Sequence, residues 1–93
     1  LRAFKNFMES IQNRAIALIY MTGLDDLVRK SEISYSRWKN LRHKKARIST
    51  EEIEVLVQLY PQYALWLASG RTIPESGQTS PDIDEAVKIP STG

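Results

Sequence analysis

Residues that break helices divide the first 70 residues of this chain into short apolar segments, and this division restricts the fold more than any other feature. Within the segments, apolar side chains recur at the three- and four-residue spacing of an amphipathic helix. The predicted helices cover residues 3–21, 24–30, 35–43, 49–60 and 61–68. The sequence therefore predicts one all-α domain of five helices over residues 1–70, followed by a polar tail over residues 71–93.

The first three helices are separated by residues with known capping or terminating preferences. Gly23 is suited to end the first helix, because glycine tolerates the backbone conformation found after helix C-termini. Thr22, followed three residues later by Asp25, resembles an N-terminal cap of the second helix. Ser34 is placed to cap the third helix. The second and third helices are therefore predicted to be short and joined by a tight turn.

The fourth and fifth helices also have marked ends. Ser49 and Glu52 have the spacing of a capping box, in which each side chain binds a backbone N–H near the other residue. Pro61 is suited to the first turn of a helix, and Gly70 is suited to end it. Beyond Gly70, proline, glycine and serine among polar residues predict a flexible tail. Within this tail, residues 80–88 carry the signals of a short helix as an alternative.

Positive charge is concentrated in one part of the chain. Between residues 29 and 47 there are eight lysine and arginine residues and one acidic residue, Glu32. Trp38 and Leu41, three residues apart in the third helix, are expected to face the core, so that the polar and basic residues face outward. The DNA major groove is about 12 Å wide and admits one helix. We therefore predict a helix-turn-helix within residues 24–48 that binds double-stranded DNA; the alternative is a solvated basic face.

Composition excludes several kinds of site. The chain has no cysteine and a single histidine, His43, which excludes disulfides, thiolate zinc sites and multi-histidine metal sites. The acidic pairs Asp25–Asp26 and Glu51–Glu52 lie at helix starts, where carboxylates stabilise the helix dipole, so capping explains them better than catalysis. The most apolar run, residues 15–21, is shorter than the ~20 residues of a membrane span. We predict a cytoplasmic protein that is not an enzyme, uses no cofactor and binds no membrane.

Residues 24–43, LDDLVRKSEISYSRWKNLRH, resemble the helix-turn-helix of the XRE, or lambda-repressor-like, family of bacterial and phage regulators. The resemblance extends over about residues 7–70. The apolar positions that hold the family's motif together are occupied here by Leu27, Val28, Ile33, Trp38 and Leu41. Two positions differ: Glu32 stands where the family's turn often has glycine, and no glutamine opens the second helix. The resemblance implies a five-helix DNA-binding domain that regulates transcription.

The DNA-binding residues are predicted to lie on the third helix and in the segment after it. The resemblance implies that bases or flanking phosphates are contacted by Tyr35, Ser36, Lys39, Asn40 and His43. Asn40 can pair with an adenine edge through two hydrogen bonds. Lys44, Lys45 and Arg47 are predicted to bind backbone phosphates. Arg37 is assigned to a base or a phosphate, depending on the rotation of the helix. The complete predicted set is Ser34, Tyr35, Ser36, Arg37, Lys39, Asn40, His43, Lys44, Lys45 and Arg47.

One module of this size buries too little surface to bind DNA both tightly and specifically, so we predict a homodimer on a roughly palindromic operator. Its contact surfaces are predicted on the first and fifth helices, with some of Tyr60, Tyr63 and Trp66 exposed to the partner. In one alternative, the chain is the DNA-binding antitoxin of a toxin pair, or another protein-interaction module, and residues 71–93 fold on the partner. In another, it binds RNA. The sequence identifies no small-molecule effector.

Overall fold

The structure, a computed structural model, describes residues 10–88 of the 93-residue chain. Within them the fold is all-α, as predicted, and residues 24–42 form a helix-turn-helix. The α-helices of this part of the chain are α1 (Ile11–Thr22), α2 (Leu24–Arg29), α3 (Tyr35–Arg42), α4 (Thr50–Leu59), α5 (Ala64–Ser69) and α6 (Pro81–Lys88). Short 3-10 turns, Pro61–Tyr63 and Pro74–Ser76, precede α5 and α6. None of these helices is long and apolar enough to cross a membrane.

Helix α1 begins directly after Ser10. Ser10 has an extended backbone, with φ −94° and ψ 152°, and its side chain accepts a hydrogen bond from the N–H of Asn13 at 3.0 Å. This is the geometry of an N-cap, so the prediction of an unbroken helix from residue 3 is wrong at this position. Residues 3–9 of that predicted helix lie outside the described residues.

The core forms where α1, α2 and α3 meet α4 and α5. Its largest fully buried side chains are Trp38, Leu18, Ile19, Leu27, Leu41, Leu56 and Leu67. Trp38 and Leu41 are both 0% exposed, which confirms that this side of α3 faces inward. Burial of side chains of this size contributes roughly 1.5–3 kcal/mol each, so these two residues strongly favour one rotation of α3.

A single glycine both ends α1 and precedes α2. Gly23 has φ 92° and ψ 146°, a conformation that residues with a side chain rarely adopt, and this confirms the predicted end of the first helix. The N-cap predicted from Thr22 and Asp25 is wrong. Thr22 still belongs to the last turn of α1, where its hydroxyl donates to the carbonyl of Leu18 at 2.7 Å and lies 2.8 Å from the hydroxyl of Tyr60.

The capping box of α4 and the start of the fifth element are confirmed. The Ser49 backbone N–H donates to the Glu52 carboxylate at 2.7 Å, and both bonds of the box are present. Pro61 opens the 3-10 turn that continues into α5. The sequence signals at these boundaries therefore act as predicted.

Buried Arg14 ties α1 to the end of α5. Its Nε donates to the carbonyl of Leu67 at 3.0 Å. Gly70 ends α5 in the left-handed conformation, φ 80°, and a Cβ at this position would lie 3.2 Å from the Arg14 guanidinium. Glycine therefore suits this position both for its backbone and for the room it leaves the arginine.

Residues 71–88 pack against α5 and the turn before it, in contrast to the predicted flexible tail. A β-bridge joins Ile73 and Gln78 through backbone hydrogen bonds of 2.8 and 3.1 Å. The Gln78 side chain accepts from the N–H of Leu65 at 2.9 Å and donates to the carbonyl of Pro61 at 3.0 Å. These bonds satisfy backbone groups near the start of α5, which explains how a polar segment is held in place.

The short helix predicted as an alternative within this segment is present as α6. Ser80 is buried, and its hydroxyl accepts from the N–H of Ile83 at 3.3 Å. On α6, Asp84 accepts a hydrogen bond from the hydroxyl of Tyr63 at 2.7 Å. Burial, together with this hydrogen bond and the charge of Asp84, raises the pKa of Tyr63 to about 12. Residues 89–93 lie outside the described residues.

The aromatic residues around α5 are packed within the chain. Tyr63 is 5% exposed, Trp66 is 9% exposed, and Tyr60 is half-buried. The Tyr63 ring stacks on Tyr60 with centroids 5.5 Å apart and meets Trp66 edge-on at 6.2 Å. The prediction that such residues are exposed for a partner is therefore wrong for Tyr63 and Trp66, because contacts within the chain bury them.

Candidate nucleic-acid interface

The turn between α2 and α3 is organised by Ser31. Its hydroxyl donates to the carbonyl of Leu27 at 2.6 Å and accepts from the N–H of Ile33 and from Nε1 of Trp38, both at 3.2 Å. These bonds connect the end of α2, the turn and the buried side of α3. Glu32 is exposed and has no positive φ. The turn therefore needs no glycine at Glu32, where the family pattern often has one.

Five exposed side chains form a stripe along α3. The helix is capped by Ser34, which accepts from the N–H of Arg37 at 3.2 Å, as predicted. At the helical rotation of about 100° per residue, the stripe spans an arc of about 140° opposite Trp38 and Leu41. We define the α3 stripe as the exposed residues Tyr35, Ser36, Lys39, Asn40 and His43. The structure thus places on one side of α3 all five positions that the resemblance implies.

Arg37 is turned away from the α3 stripe, toward α4. Its Nε donates to Glu52 Oε2 at 2.7 Å, and its Nη2 donates to Glu52 Oε1 at 3.0 Å. Nη2 also donates to the backbone carbonyl of Arg47 at 2.8 Å. The sequence did not determine the rotation of α3, and so it did not determine where the Arg37 side chain points. In the structure the guanidinium binds Glu52 and holds α3 against the start of α4. This corrects the prediction that Arg37 contacts a base or a phosphate.

Glu52 is the buried partner in this contact. It is 3% exposed, and its carboxylate also accepts hydrogen bonds from the N–H and the hydroxyl of Ser49, at 2.7 and 2.6 Å. Burial by itself raises the pKa of Glu52, but the hydrogen bonds from Arg37 and Ser49 and the charge of Arg37 outweigh it and hold the pKa below its ordinary value. One carboxylate therefore caps α4 and fixes α3.

Helix α3 ends in a left-handed turn at Lys44. Lys44 has φ 64°, and its N–H donates to the carbonyl of Leu41 at 3.0 Å, while the N–H of Lys45 donates to the carbonyl of Asn40 at 2.8 Å. This is the Schellman pattern of helix termination, in which glycine is the commonest residue at the left-handed position. Lys44, Lys45 and Arg47 are all exposed beyond the end of α3. The predicted phosphate-binding residues thus follow directly on the α3 stripe.

The segment after α3 is held by Gln12 of α1. Its Nε2 donates to the carbonyl of Ala46 at 2.9 Å, and its Oε1 accepts from the N–H of Ile48 at 2.9 Å. One side-chain amide therefore satisfies two backbone groups of an irregular segment. The sequence pattern does not reveal Gln12, because its partners lie 34 and 36 residues away. The position of Ser31 directly after a helix is the only signal of its role in the turn.

The exposed groups of this surface suit a ligand that carries many negative charges and also presents an edge of hydrogen-bond donors and acceptors. Apart from Arg37, all predicted site residues are exposed. Lys39, Lys44, Lys45 and Arg47 supply positive charge that attracts phosphates and makes affinity depend on salt. The amide of Asn40 supplies a donor and an acceptor that match an adenine edge. The arrangement can therefore combine sequence-independent attraction with base recognition.

Among solved structures, the chain is similar to Pf6r from the filamentous phage Pf6 of Pseudomonas aeruginosa PA01. The two share 59% sequence identity, the similarity covers 80% of this chain and 97% of the Pf6r chain, and the TM-score is 0.77. No protein-family model matches the sequence, and no curated protein is significantly similar to it. The resemblance to the XRE family stays a prediction.

Proposed function

The chain belongs to the same family as Pf6r of phage Pf6, and from this premise we propose that it is a transcriptional regulator of the XRE type that binds double-stranded DNA sequence-specifically. In this proposal α3 enters the major groove and α2 crosses the DNA backbone. The main support for the proposal is the α3 stripe, which presents five exposed polar side chains opposite the fully buried Trp38 and Leu41. A helix held by one side and exposing hydrogen-bonding groups on the other has the form that groove recognition requires.

The proposal gives the exposed residues two kinds of role. Asn40 pairs with an adenine edge, and Tyr35 and Ser36 contact bases or phosphates from the first turn of α3. Lys44 and Lys45 neutralise phosphates and supply affinity that does not depend on sequence. Only the first group distinguishes one operator from another.

We further propose that two copies bind an operator with approximate two-fold symmetry. One copy presents a single helix to a single groove, and a dimer places the second α3 in the next major groove, about 34 Å away. This doubles the number of base pairs that are recognised. The regulator is proposed to act in the cytoplasm, without a cofactor and without catalytic activity.

Packing within the chain favours this function over the antitoxin alternative and reduces the aromatic surface that the RNA-binding alternative needs. An antitoxin tail is expected to fold on its toxin, whereas Gln78 and Asp84 bind residues of the chain's own domain. An RNA-binding module is expected to stack unpaired bases on exposed aromatic rings. Tyr63 and Trp66 are buried and offer no such surface, so that among the described residues the exposed aromatic rings are those of Tyr20 and Tyr35.

Selection of bound duplexes from a random-sequence pool tests the proposal. We expect an enriched motif with two-fold symmetry. The matched control is Glu54→Ala, which alters an exposed side chain on α4, outside the α3 stripe, and should recover the same motif. Recovery of no motif at low salt contradicts sequence-specific binding. A motif without symmetry contradicts only the dimer.

A further inference from the structure

Arg42, the last residue of α3, contacts an aromatic ring of α1. Its guanidinium lies over Tyr20, with Cζ 5.2 Å from the ring centroid, which is within the range of cation–π attraction. Tyr20 is 62% exposed, more than any other large hydrophobic residue in the described part of the chain. The ring is therefore not held in place by burial, and its clearest contact is the arginine.

The hydrogen-bonding groups of Arg42 are not matched within the part of the chain that the structure describes. Its Nε is buried without a hydrogen-bond partner among residues 10–88, and no acceptor in that range binds its terminal nitrogens. Two other arginines differ: Arg14 donates from Nε to a backbone carbonyl, and Arg37 binds Glu52. A guanidinium carries five N–H donors in a fixed plane, and buried donors are nearly always paired. The buried Nε is closed to solvent, whereas the terminal nitrogens are not among the buried unpartnered atoms, so these nitrogens are left for an acceptor outside the described residues.

The position of Arg42 places this guanidinium beside the α3 stripe. Arg42 follows Lys39 by three residues and Tyr35 by seven, a spacing that puts side chains on the same side of a helix. It lies at the C-terminal end of α3, on the edge that borders α1. Helix-turn-helix proteins contact bases mainly from the N-terminal part of the recognition helix, and the C-terminal end of that helix contacts the backbone in the homeodomain variant.

We propose that Arg42 binds a backbone phosphate of the DNA beside the groove that α3 enters, and that Tyr20 is a positioning residue that holds the guanidinium over its ring. The inference rests on the proposed function, because it names a further contact to the same duplex. A guanidinium stacked on a ring keeps its in-plane N–H groups, and two parallel N–H groups match two phosphate oxygens. Every nucleotide carries the same phosphate, so this contact adds affinity without sequence preference.

The first test compares Arg42→Gln with Arg71→Gln in the full chain. Arg71 is exposed after α5, so the control removes the same charge away from the α3 stripe. Dissociation constants are measured against salt for a duplex carrying the selected motif and for a scrambled duplex. We expect Arg42→Gln to weaken binding to both duplexes by about tenfold at low salt and to reduce the slope of log K against log salt by about 0.9, the loss of one phosphate contact. Arg71→Gln should leave the slope unchanged.

A second comparison separates the Tyr20 ring from its hydroxyl. Tyr20→Phe keeps the ring and should keep wild-type affinity and slope, whereas Tyr20→Leu should weaken binding to both duplexes. If Tyr20 acts through Arg42, Tyr20→Leu has no further effect in the Arg42→Gln background. Additive effects of the two substitutions overturn the positioning role. Thermal unfolding of each variant checks that the fold is intact.

The remaining outcomes distinguish the inference from the proposed function. If the wild-type chain binds no duplex at low salt, both fail. If the wild-type chain binds and Arg42→Gln matches it on both duplexes, only the inference fails. Weaker binding to the motif duplex alone assigns Arg42 to a base and overturns the phosphate contact. A change in sedimentation of the free variant, with the salt slope unchanged, assigns the pair to a contact between copies and also overturns it.

Discussion

Arg37 and Glu52 join α3 to α4 through two parallel hydrogen bonds, Nε to Oε2 at 2.7 Å and Nη2 to Oε1 at 3.0 Å. The Glu52 side chain is 4% exposed and that of Arg37 is 34% exposed. The buried carboxylate therefore depends on the arginine to offset its loss of water. The orientation of the α3 stripe rests on this charged contact as well as on buried Trp38 and Leu41.

Replacing Arg37 by methionine is expected to lower the free energy of unfolding by about 2–4 kcal/mol, because it leaves the Glu52 carboxylate buried without a cation. Urea unfolding near neutral pH measures the change. Lys39→Met removes the same charge from an exposed position of α3 and should cost less than about 0.5 kcal/mol. Equal losses in the two variants would show that Arg37 has no special structural role.

Acid is expected to weaken the same contact. The pKa of Glu52 in the folded chain lies below its ordinary value of 4.5, so its stabilising effect is fully present above about pH 4.5 and is lost as the pH falls through the lower folded-state pKa. Glu52→Gln starts from a lower stability but cannot titrate. Its melting temperature should therefore fall less than that of the wild type between about pH 5 and pH 3. A parallel decrease in both proteins contradicts this linkage.

High pH is expected to lower the stability of the fold through ionisation of the Tyr63 hydroxyl. Its pKa is raised from 10.0 to about 12, so its contribution is fully present below about pH 10 and is lost as the pH rises toward 12. Tyr63→Phe should be less stable near neutral pH by roughly 1 kcal/mol, because the hydrogen bond to Asp84 is removed. Urea unfolding at increasing pH should then show a smaller alkaline loss for the variant. Tyr35→Phe, at an exposed phenol, is the matched control, and the prediction fails if Tyr63→Phe follows the wild type as closely as this control does.

The parts of the fold that could be predicted depend on residues within about one helical turn of each other. The inward side of α3 follows from the spacing of Trp38 and Leu41, and the start of α4 follows from Ser49 and Glu52. Arg37 could not be assigned in this way. Its partner lies 15 residues away on another helix, and a guanidinium binds a carboxylate as readily as a phosphate. Only the rotation of α3 decides between them.

The packing of residues 71–88 also could not be predicted from short sequence patterns. Their proline and glycine content predicts a flexible tail, and composition says nothing about where a polar side chain finds partners. In the structure, Gln78 binds Leu65 and Pro61, and Asp84 binds Tyr63. Each partner precedes the residue that it binds by 13 to 21 residues, so the packing is a property of the folded domain.

Asn40 is expected to carry base preference. Asn40→Ala should cost about 1–3 kcal/mol on the selected motif and relax the preference at one or two positions of each half, with little change on a scrambled duplex. Competition among duplexes with single base changes measures this. Lys45→Ala provides the contrast, because losing a phosphate contact weakens binding to all duplexes alike. If Asn40→Ala keeps every base preference, Asn40 does not contact a base.

Lys44 is expected to lower the stability of the fold while it raises the affinity for DNA. Its φ of 64° is unfavourable for a residue with a Cβ, whereas glycine adopts it readily. Lys44→Gly should therefore raise the free energy of unfolding by about 0.5–1 kcal/mol, after allowing for the greater freedom of glycine in the unfolded chain.

The same change removes a cation beside the α3 stripe, so binding to all duplexes should weaken and the salt slope should fall by about 0.9. Lys45→Ala, at an exposed neighbour without positive φ, should weaken binding without the gain in stability. Urea unfolding and salt-dependent binding of the two variants separate the backbone effect from the charge effect. A Lys44→Gly variant that is less stable than the wild type contradicts the predicted backbone effect.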